Sequence, residues 1–434
     1  MFEVLKNAWK LPDLRRKLLF TLLIVVLYRI GAQINVPFVD SSALQTYMNQ
    51  FGDTILGYMN MLSSNAFSHA TLFALSITPY ITSSIIMQLL TIAVPALERL
   101  QKEGGDEGKK KITQITRVLT IVLGIITGTG YYFMLRNLGM LFKTDLFSAI
   151  VIITCYSAGS GLIMWLGEKI NENGIGNGIS IILFANIVSR LPSVFIKAIT
   201  DIYNEGQFSV MELVKYVLIL AAAIAIVVFV VFISNAERRL PVQYAKRVVG
   251  RKMYGGQSTH LPIKINMSGV MPIIFASSLV SMPALIIQFV NSNPAVGTIT
   301  YYLKGFFSTT GAFYSILEFI LIVLFSYFYV AISFNPIEVA NNLKKNGGFI
   351  PGLRPGKPTS DFISKILNKL TFMGGIFLGL IAILPLVFNA ATGGALSIVT
   401  FGGTSILIII GVAQETTKEI EGQIMMRHYK GFLT

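Results

Sequence analysis

Charge is what this sequence has least of. Only 13% of its 434 residues are Asp, Glu, Lys or Arg, and 53% are apolar; a soluble globular chain carries about 25% charged residues. That balance excludes an ordinary soluble domain. The long charge-poor runs that recur along the chain mark a polytopic membrane protein. There is a single cysteine, Cys155, so no intramolecular disulfide can support the fold. The three histidines, His69, His260 and His428, are far apart and have no Cys or carboxylate at ligand spacing, which argues against metal catalysis. A cleavable signal peptide is not expected either. Residues 1–17 are basic, but the apolar run from Leu18 continues to about Ile34 with no A-x-A site, as in a retained first span.

Enzyme signatures are also missing. GGDEGKKK (104–111) lacks the spacing and the final Ser or Thr of a phosphate loop and reads as a flexible charged loop. GIGNGIS (174–180) is glycine-rich but follows no strand, so it is not a dinucleotide turn. No cofactor or catalytic residue is implied.

What is present is a series of ten apolar spans near 18–34, 70–97, 118–135, 146–166, 175–190, 215–234, 267–290, 313–333, 371–389 and 396–413. The fifth is the weakest, being short and closed by Arg190-Leu191-Pro192. Of the 35 Lys and Arg residues, 28 fall in the N-terminal segment, the loops 98–117, 167–174, 235–266 and 334–370, and the tail 414–434. By the positive-inside rule these are cytoplasmic, and so are both termini. The net charge of +14 therefore belongs to the cytoplasmic face. Such a face attracts anionic headgroups and large anionic partners such as RNA, although topology alone accounts for most of the bias. Spans two, three, four, seven, nine and ten carry no ionisable residue. Arg29 lies in the outer half of span one, where it can snorkel outward, and Glu318 near the outer end of span eight. An ion-coupled transporter needs ionisable ligands at mid-membrane, so these spans suit a hydrophobic constriction better.

Two regions stand apart from the spans. TILGYMNMLSSNAF (54–67) is apolar but too short to cross a bilayer, and it lies in 35–69, a stretch without Lys or Arg and therefore external. From the residues alone it could lie on the outer leaflet as an amphipathic helix. The cytoplasmic loops 235–266 and 334–370 are longer than turns. The first alternates basic, aromatic and apolar residues, as in an extended hairpin projecting into water. The second places Arg354 between Leu353 and Pro355 among Gly-Gly and Pro-Gly turns, either a solvated surface turn or a docking point for a carboxylate or phosphate.

Six stretches together carry a family resemblance: YRIGAQINVP (28–37), ITPYITSSIIMQLL (77–90), GEKINENGIGNGISI (167–181), the YAKR…STHLPIKINMSGVMPIIFASS run (244–278), FNPIEVANNLKKNGGFIPGLRPG (334–356) and FGGTSILI (401–408). In this order, over nearly the whole chain, the sequence resembles the bacterial SecY family, central subunits of the Sec protein translocation channel. The resemblance implies an all-α fold of ten transmembrane helices in two pseudo-symmetric halves of five around a central pore. The N-terminal half would be 1–190, with a plug helix at 55–69; an external hinge loop would occupy 191–214, the C-terminal half 215–413 and the tail 414–434. The pore ring would be Ile77, Ile81, Ile179, Leu183, Ile274 and Ile408. Leu183 replaces the family's common isoleucine at similar volume. The plug would be Ile55, Leu56, Gly57, Tyr58, Met59, Asn60, Met61, Leu62, Ser63, Ser64, Asn65, Ala66 and Phe67, with Gly57, Ser63 and Ser64 keeping it narrow. A lateral gate between spans two and seven would be lined by Thr82, Gln88, Asn266 and Met282, hydrogen-bonding across the closed seam, with Pro79, Pro272 and Pro283 easing its opening. Arg238, Arg239, Arg251, Lys252 and Arg354 would dock the motor ATPase SecA or the ribosome. SecE and SecG would complete the complex, and signal sequences, nascent chains and membrane lipids would be its other partners. The resemblance implies a non-enzymatic channel in the bacterial cytoplasmic membrane. A secondary transporter and a structural scaffold are the competing classes.

Overall fold

A computed structural model describes residues 2–50, 55–204, 207–208, 210–244, 247–249, 252–254, 258–290, 298–308, 311–391 and 403–430. Helices dominate it. On the N-terminal side come α1 (Phe2–Lys10), α2 (Pro12–Gly31), α3 (Ser41–Gln50), α4 (Ile55–Leu62), α5 (Thr78–Ala93), α6 (Pro95–Lys102), α7 (Gly105–Asn137), α8 (Leu146–Asn173), α9 (Gly178–Val188) and α10 (Leu191–Ile202). A short hairpin, β1 (Tyr203–Asn204) and β2 (Gln207–Phe208), leads to α11 (Val210–Asn235). Then come β3 (Glu237–Tyr244), β4 (Arg247–Val249), β5 (Lys252–Tyr254), β6 (Ser258–Lys264), α12 (Met271–Val290), α13 (Ile299–Phe306), α14 (Ala312–Ser333), α15 (Pro336–Lys345), β7 (Gly348–Phe349), α16 (Lys357–Ala391) and α17 (Gly403–Lys430). Among the described residues six helices are long and apolar enough to cross a membrane, or seven if the bent pair α5–α6 is one span.

The helices pack as two groups. In one, α2, α5, α7, α8 and α9 touch one another; in the other, α11, α12, α14, α16 and α17 do. The groups meet where α5 and α7 pack on α12 and, separately, where α9 packs on α17. This is the two-half architecture of the expected fold.

Several expected boundaries move, for local reasons. The second span does not run straight from 70 to 97. Residues 63–77 form consecutive turns and the isolated bridge at Thr71; Ser64, Asn65, Ala70 and Ser76 all have positive φ. The helix begins at Thr78, with Pro79 in its first turn, where a missing N–H costs nothing. It breaks at Val94, before Pro95, and α6 leaves at 103°. Pro272 likewise sits in the first turn of α12, so of the three gate prolines only Pro283 lies inside a helix. GGDEGKKK is not a flexible loop. Gly104 and Gly105 (φ 53°) make a tight turn and the rest is the start of α7, where a Cβ on Gly108 would lie 2.0 Å from the Leu100 carbonyl oxygen. The 191–214 stretch, expected to be an external loop, is not all loop, since it holds α10, the β1–β2 hairpin and the start of α11.

The hairpin expected in 235–266 is present. β3 and β6 pair antiparallel with Leu240 opposite Leu261, and β7 joins the other edge of β3 with Phe349 opposite Gln243. Period-2 alternation turns Leu240 and Val242 into a core with Ile263, Ile350, Ile363 and Leu367. One small sheet thus ties the two cytoplasmic loops together.

Candidate pore waist, plug and docking surface

The six proposed ring residues share one hydrophobic cluster. Ile77, Ile81, Leu183, Ile274 and Ile408 are buried in one hydrophobic cluster, and Ile179, partly buried, packs against it. Ile77 and Ile81 are one turn apart, the Ile81 N–H donating to the Ile77 carbonyl at 3.0 Å. Ile179 and Leu183 are one turn apart on α9, whose start is fixed by Asn177 Oδ1, accepting from the Ile179 and Ser180 N–H groups. Gly178 lets α9 approach α8, because a Cβ there would lie 2.0 Å from the Gly167 carbonyl oxygen. Both groups of helices supply side chains: α5 and α9 from one, α12 and α17 from the other.

The short external helix is α4, and it is shorter than the expected 55–69: eight residues, then turns. It packs against α9 and α12. Leu56 and Met59 are buried with Phe67, Leu44, Tyr131 and Leu285 in a second cluster, while Ala66 belongs to the ring cluster. The segment therefore bridges the waist and the external layer. Ser63 and Ser64 do not narrow the helix, because they lie past its end. They build the turn instead. Ser63 Oγ accepts from the Phe67 N–H at 3.0 Å, and Asn60 Oδ1 from the Ser68 N–H at 3.0 Å. The Phe67 carbonyl accepts from Tyr131 OH at 2.7 Å.

Arg29 does not snorkel away. Its Nη1 donates to Ser64 Oγ at 2.7 Å, and Ser64 Oγ is 2.5 Å from Ser189 Oγ, just past α9. This chain fastens the turn after α4 to α2 and α9. Sequence reasoning missed it, since nothing in the spacing of Arg29, Ser64 and Ser189 signals proximity. Glu318 is buried on α14 with its carboxyl against the Ser277 hydroxyl of α12.

The gate positions are only partly brought together. α5 and α12 touch, with Thr82 buried on α5 and Met282 half-buried on α12. Gln88, however, bonds not to α12 but to α14: its Oε1 accepts from Tyr329 OH at 3.0 Å, while its Nε2 donates to Ser84 Oγ at 3.3 Å. The Tyr329 ring in turn packs on Phe275 of α12, centroids 5.3 Å apart. Asn266 precedes α12 and accepts from Ser268 Oγ at 3.3 Å. The expected hydrogen bonds across the α5–α12 seam are thus replaced, at Gln88, by a tether through α14.

Of the proposed docking residues, Arg238 and Arg239 are exposed on β3, and Arg239 Nε donates to Glu237 Oε1 at 2.8 Å. Arg354 is exposed on a turn between Gly352 (φ 82°) and Gly356 (φ 110°), conformations that favour glycine. Leu353 packs inward and Thr359 Oγ1 donates to the Arg354 carbonyl at 2.8 Å, so the turn is held while the guanidinium is presented. Arg251 lies outside the described residues. Lys252 opens β5, and its side chain is outside them too. Arg117 of α7 and Glu168 of α8 form a two-point ion pair (3.0 and 2.9 Å). No group of residues able to hold a metal occurs among the described residues.

Two groups of helices thus share one hydrophobic cluster, and the short helix α4 packs beside it against α9 and α12. A SecY family profile matches residues 71–417. The protein translocase subunit SecY of Streptomyces coelicolor is 46% identical over 446 residues, covering all of both chains. Three solved structures share the fold. One, described as a protein-conducting channel, has TM-score 0.65 at 21% identity, covering 94% of this chain and 91% of its own. The second concerns the plug domain of a SecY protein, described as stabilising the closed channel and maintaining a membrane seal (TM-score 0.62, 21% identity, the same coverage). The third is Sec61 in a canine ribosome–channel complex (TM-score 0.60, 19% identity, again 94% and 91%). The chain belongs to the SecY family: it is a multi-pass membrane protein and a non-enzymatic subunit of a protein-translocation channel.

Proposed function

We propose that the chain conducts unfolded secretory polypeptides across the bacterial cytoplasmic membrane and releases apolar segments sideways into lipid. The observation that carries this reading is that Ile77, Ile81, Leu183, Ile274 and Ile408, from both halves, share one hydrophobic cluster, with Ile179 packed against it and Ala66 of the 55–67 segment within it. Aliphatic side chains fit around a passing chain without binding it, and they exclude ions when it is absent. Residues 55–67 act as the plug. The helix is only eight residues long, which limits what a passing chain must displace, and the Arg29–Ser64–Ser189 chain favours return to one place. The α5–α12 seam is the lateral gate, with Thr82, Gln88, Asn266 and Met282 at or near it. The chain divides into halves 1–190 and 215–413, hinged at 191–214.

The exposed arginines supply the docking reading. Arg238, Arg239, Arg251, Lys252 and Arg354 receive the ribosome or the SecA motor, consistent with the ribosome-bound state of the canine relative. SecE and SecG complete the complex.

Photocrosslinking tests the core of this reading. A crosslinker in place of Ile81, with a secretory chain stalled in passage, is expected to capture that chain; the same probe at Leu123, in the middle of α7, is not. Active translocation without capture at Ile81 would mean that the path runs elsewhere.

A further inference from the structure

Glu318 belongs to neither the ring, the plug nor the docking surface, yet it is an acid enclosed between two apolar helices. It is 2% exposed on α14, and its carboxyl meets the hydroxyl of Ser277, also 2% exposed, on α12. The two helices pack on each other here, with Phe275 edge-on to Phe325, centroids 5.9 Å apart.

Donor counting fixes the direction of that bond. A serine hydroxyl has one proton. Ser277 Oγ lies 2.6 Å from the Ile273 carbonyl oxygen and gives its proton there. The next hydroxyls along α12 are committed likewise, Ser278 to the Ile274 carbonyl at 2.7 Å and Ser281 to the Ser278 carbonyl at 3.0 Å. Ser277 Oγ is therefore left to accept, and the proton between it and Glu318 comes from the carboxylic acid. The surroundings agree. α12 holds no charged residue. On α16, Gly379 faces the Phe319 ring, and the last charge of that helix, Lys369, lies about 15 Å before it along the axis. On α14 itself the nearest titratable group in sequence is Tyr314, one turn earlier. α13 meets α14 through Phe306 and Phe313 and carries Lys304, whose side chain lies outside the described residues. A carboxylate at 318 would face no cation among the described side chains and would have to take the Ser277 proton from Ile273.

The bond sits where it can act on the proposed gate. Ser277 is just under one turn beyond Ile274 of the ring, on the same side of α12. α14 also holds the other gate helix, through Tyr329 OH and Gln88 on α5. We propose that Glu318 is kept as the neutral acid and, by donating to Ser277, pins α12 to α14 and so holds Ile274 in place in the closed channel. Glu318 is thus a positioning residue, and its role rests on the reading of α12 as a gate helix.

The test reads the bond and its effect separately. Infrared difference spectra of the purified full chain at neutral pH, wild type minus E318Q, are expected to show the carbonyl stretch of a protonated carboxylic acid, and S277A is expected to shift that band. Absence of the band overturns the proposal. In vesicles, secretion of a substrate with a weakened signal sequence is expected to rise about threefold in S277A and E318L, which lose the bond, and to stay at the wild-type level in E318Q, whose amide still donates. S277A removes a single oxygen, so its result stands even if E318L fails to assemble. A rise in E318Q equal to that in S277A overturns the pin, because the donor would then not matter. The expected band with unchanged secretion in every variant overturns the restraint of the gate. Crosslinking from Ile81 in the same vesicles separates this failure from that of the channel reading, since it reports the path whether or not Glu318 restrains the gate.

Discussion

At the proposed waist, Ile77, Ile81, Leu183, Ile274 and Ile408 are buried side chains of one chemical kind, drawn from four places in the chain. On the cytoplasmic face, Arg238, Arg239 and Arg354 are exposed charges on a strand and a turn whose own packing is done by other residues. The two regions therefore fail differently. At the waist neighbours share the work, so one aliphatic replacement that keeps the volume, as Leu183 does, costs little. On the face the scaffold is indifferent to the charge it displays, so reversing one charge leaves the fold intact and removes the contact.

The largest effect is expected at Arg354. Arg354→Glu should abolish motor-driven secretion in a vesicle assay, by at least about tenfold, while the complex still assembles, because Leu353 and the Thr359–Arg354 backbone bond hold the turn. Normal secretion by this variant would break the comparison, since the exposed arginine would then be only a solvated turn. Deletion of residues 57–67 comes next and probes the other region. Translocation should persist and resting ion conductance in planar bilayers should rise. Unchanged conductance would mean that the aliphatic cluster seals without the plug or that neighbouring residues replace it.

The same contrast explains what could be read from the sequence. The cytoplasmic hairpin was legible in the residues themselves, because alternation over 237–244 and the Lys/Arg bias are local properties; the sheet bears out the hairpin, with β7 as an unforeseen third strand. The waist was not legible this way. Ile77/Ile81 and Ile179/Leu183 are i,i+4 pairs like many in membrane helices, and only family resemblance distinguished them. The turn run 63–77 was hidden for another reason. ATLFALSIT (70–78) is apolar enough for a helix, but Ala70 and Ser76 have positive φ, and the backbone bonds of Ala70 and Leu72 to Val36 and Ile34 override that preference. Arg29 misled because snorkelling is the ordinary fate of a span-end arginine, and its true partner is 35 residues away.

That partnership gives a smaller, graded prediction. A hydrogen bond to a charged group contributes about 1.5–3 kcal/mol. Arg29→Ala should therefore free the turn after α4 without removing the plug, giving a resting conductance between that of wild type and the 57–67 deletion. Ser189→Ala removes only the far end of the chain and should have less effect than Arg29→Ala. A conductance for Arg29→Ala equal to wild type would place all the holding force in Leu56, Met59 and Phe67, making the plug an apolar device like the waist.

The smallest effect is expected at Tyr329. Its hydroxyl is the described link from α14 to Gln88 on α5, and its ring rests on Phe275 of α12. Tyr329→Phe keeps the ring contact and deletes one interhelical hydrogen bond, worth about 0.5–2 kcal/mol in a membrane. If Gln88 restrains the gate through α14, this variant should insert marginally apolar signal segments slightly more efficiently, and Gln88→Leu should match it without adding to it in the double variant. Additive effects would show that Gln88 acts across the α5–α12 seam by a second contact. The gate would then be held by polar groups on its own two helices, and the tether through α14 would be packing alone.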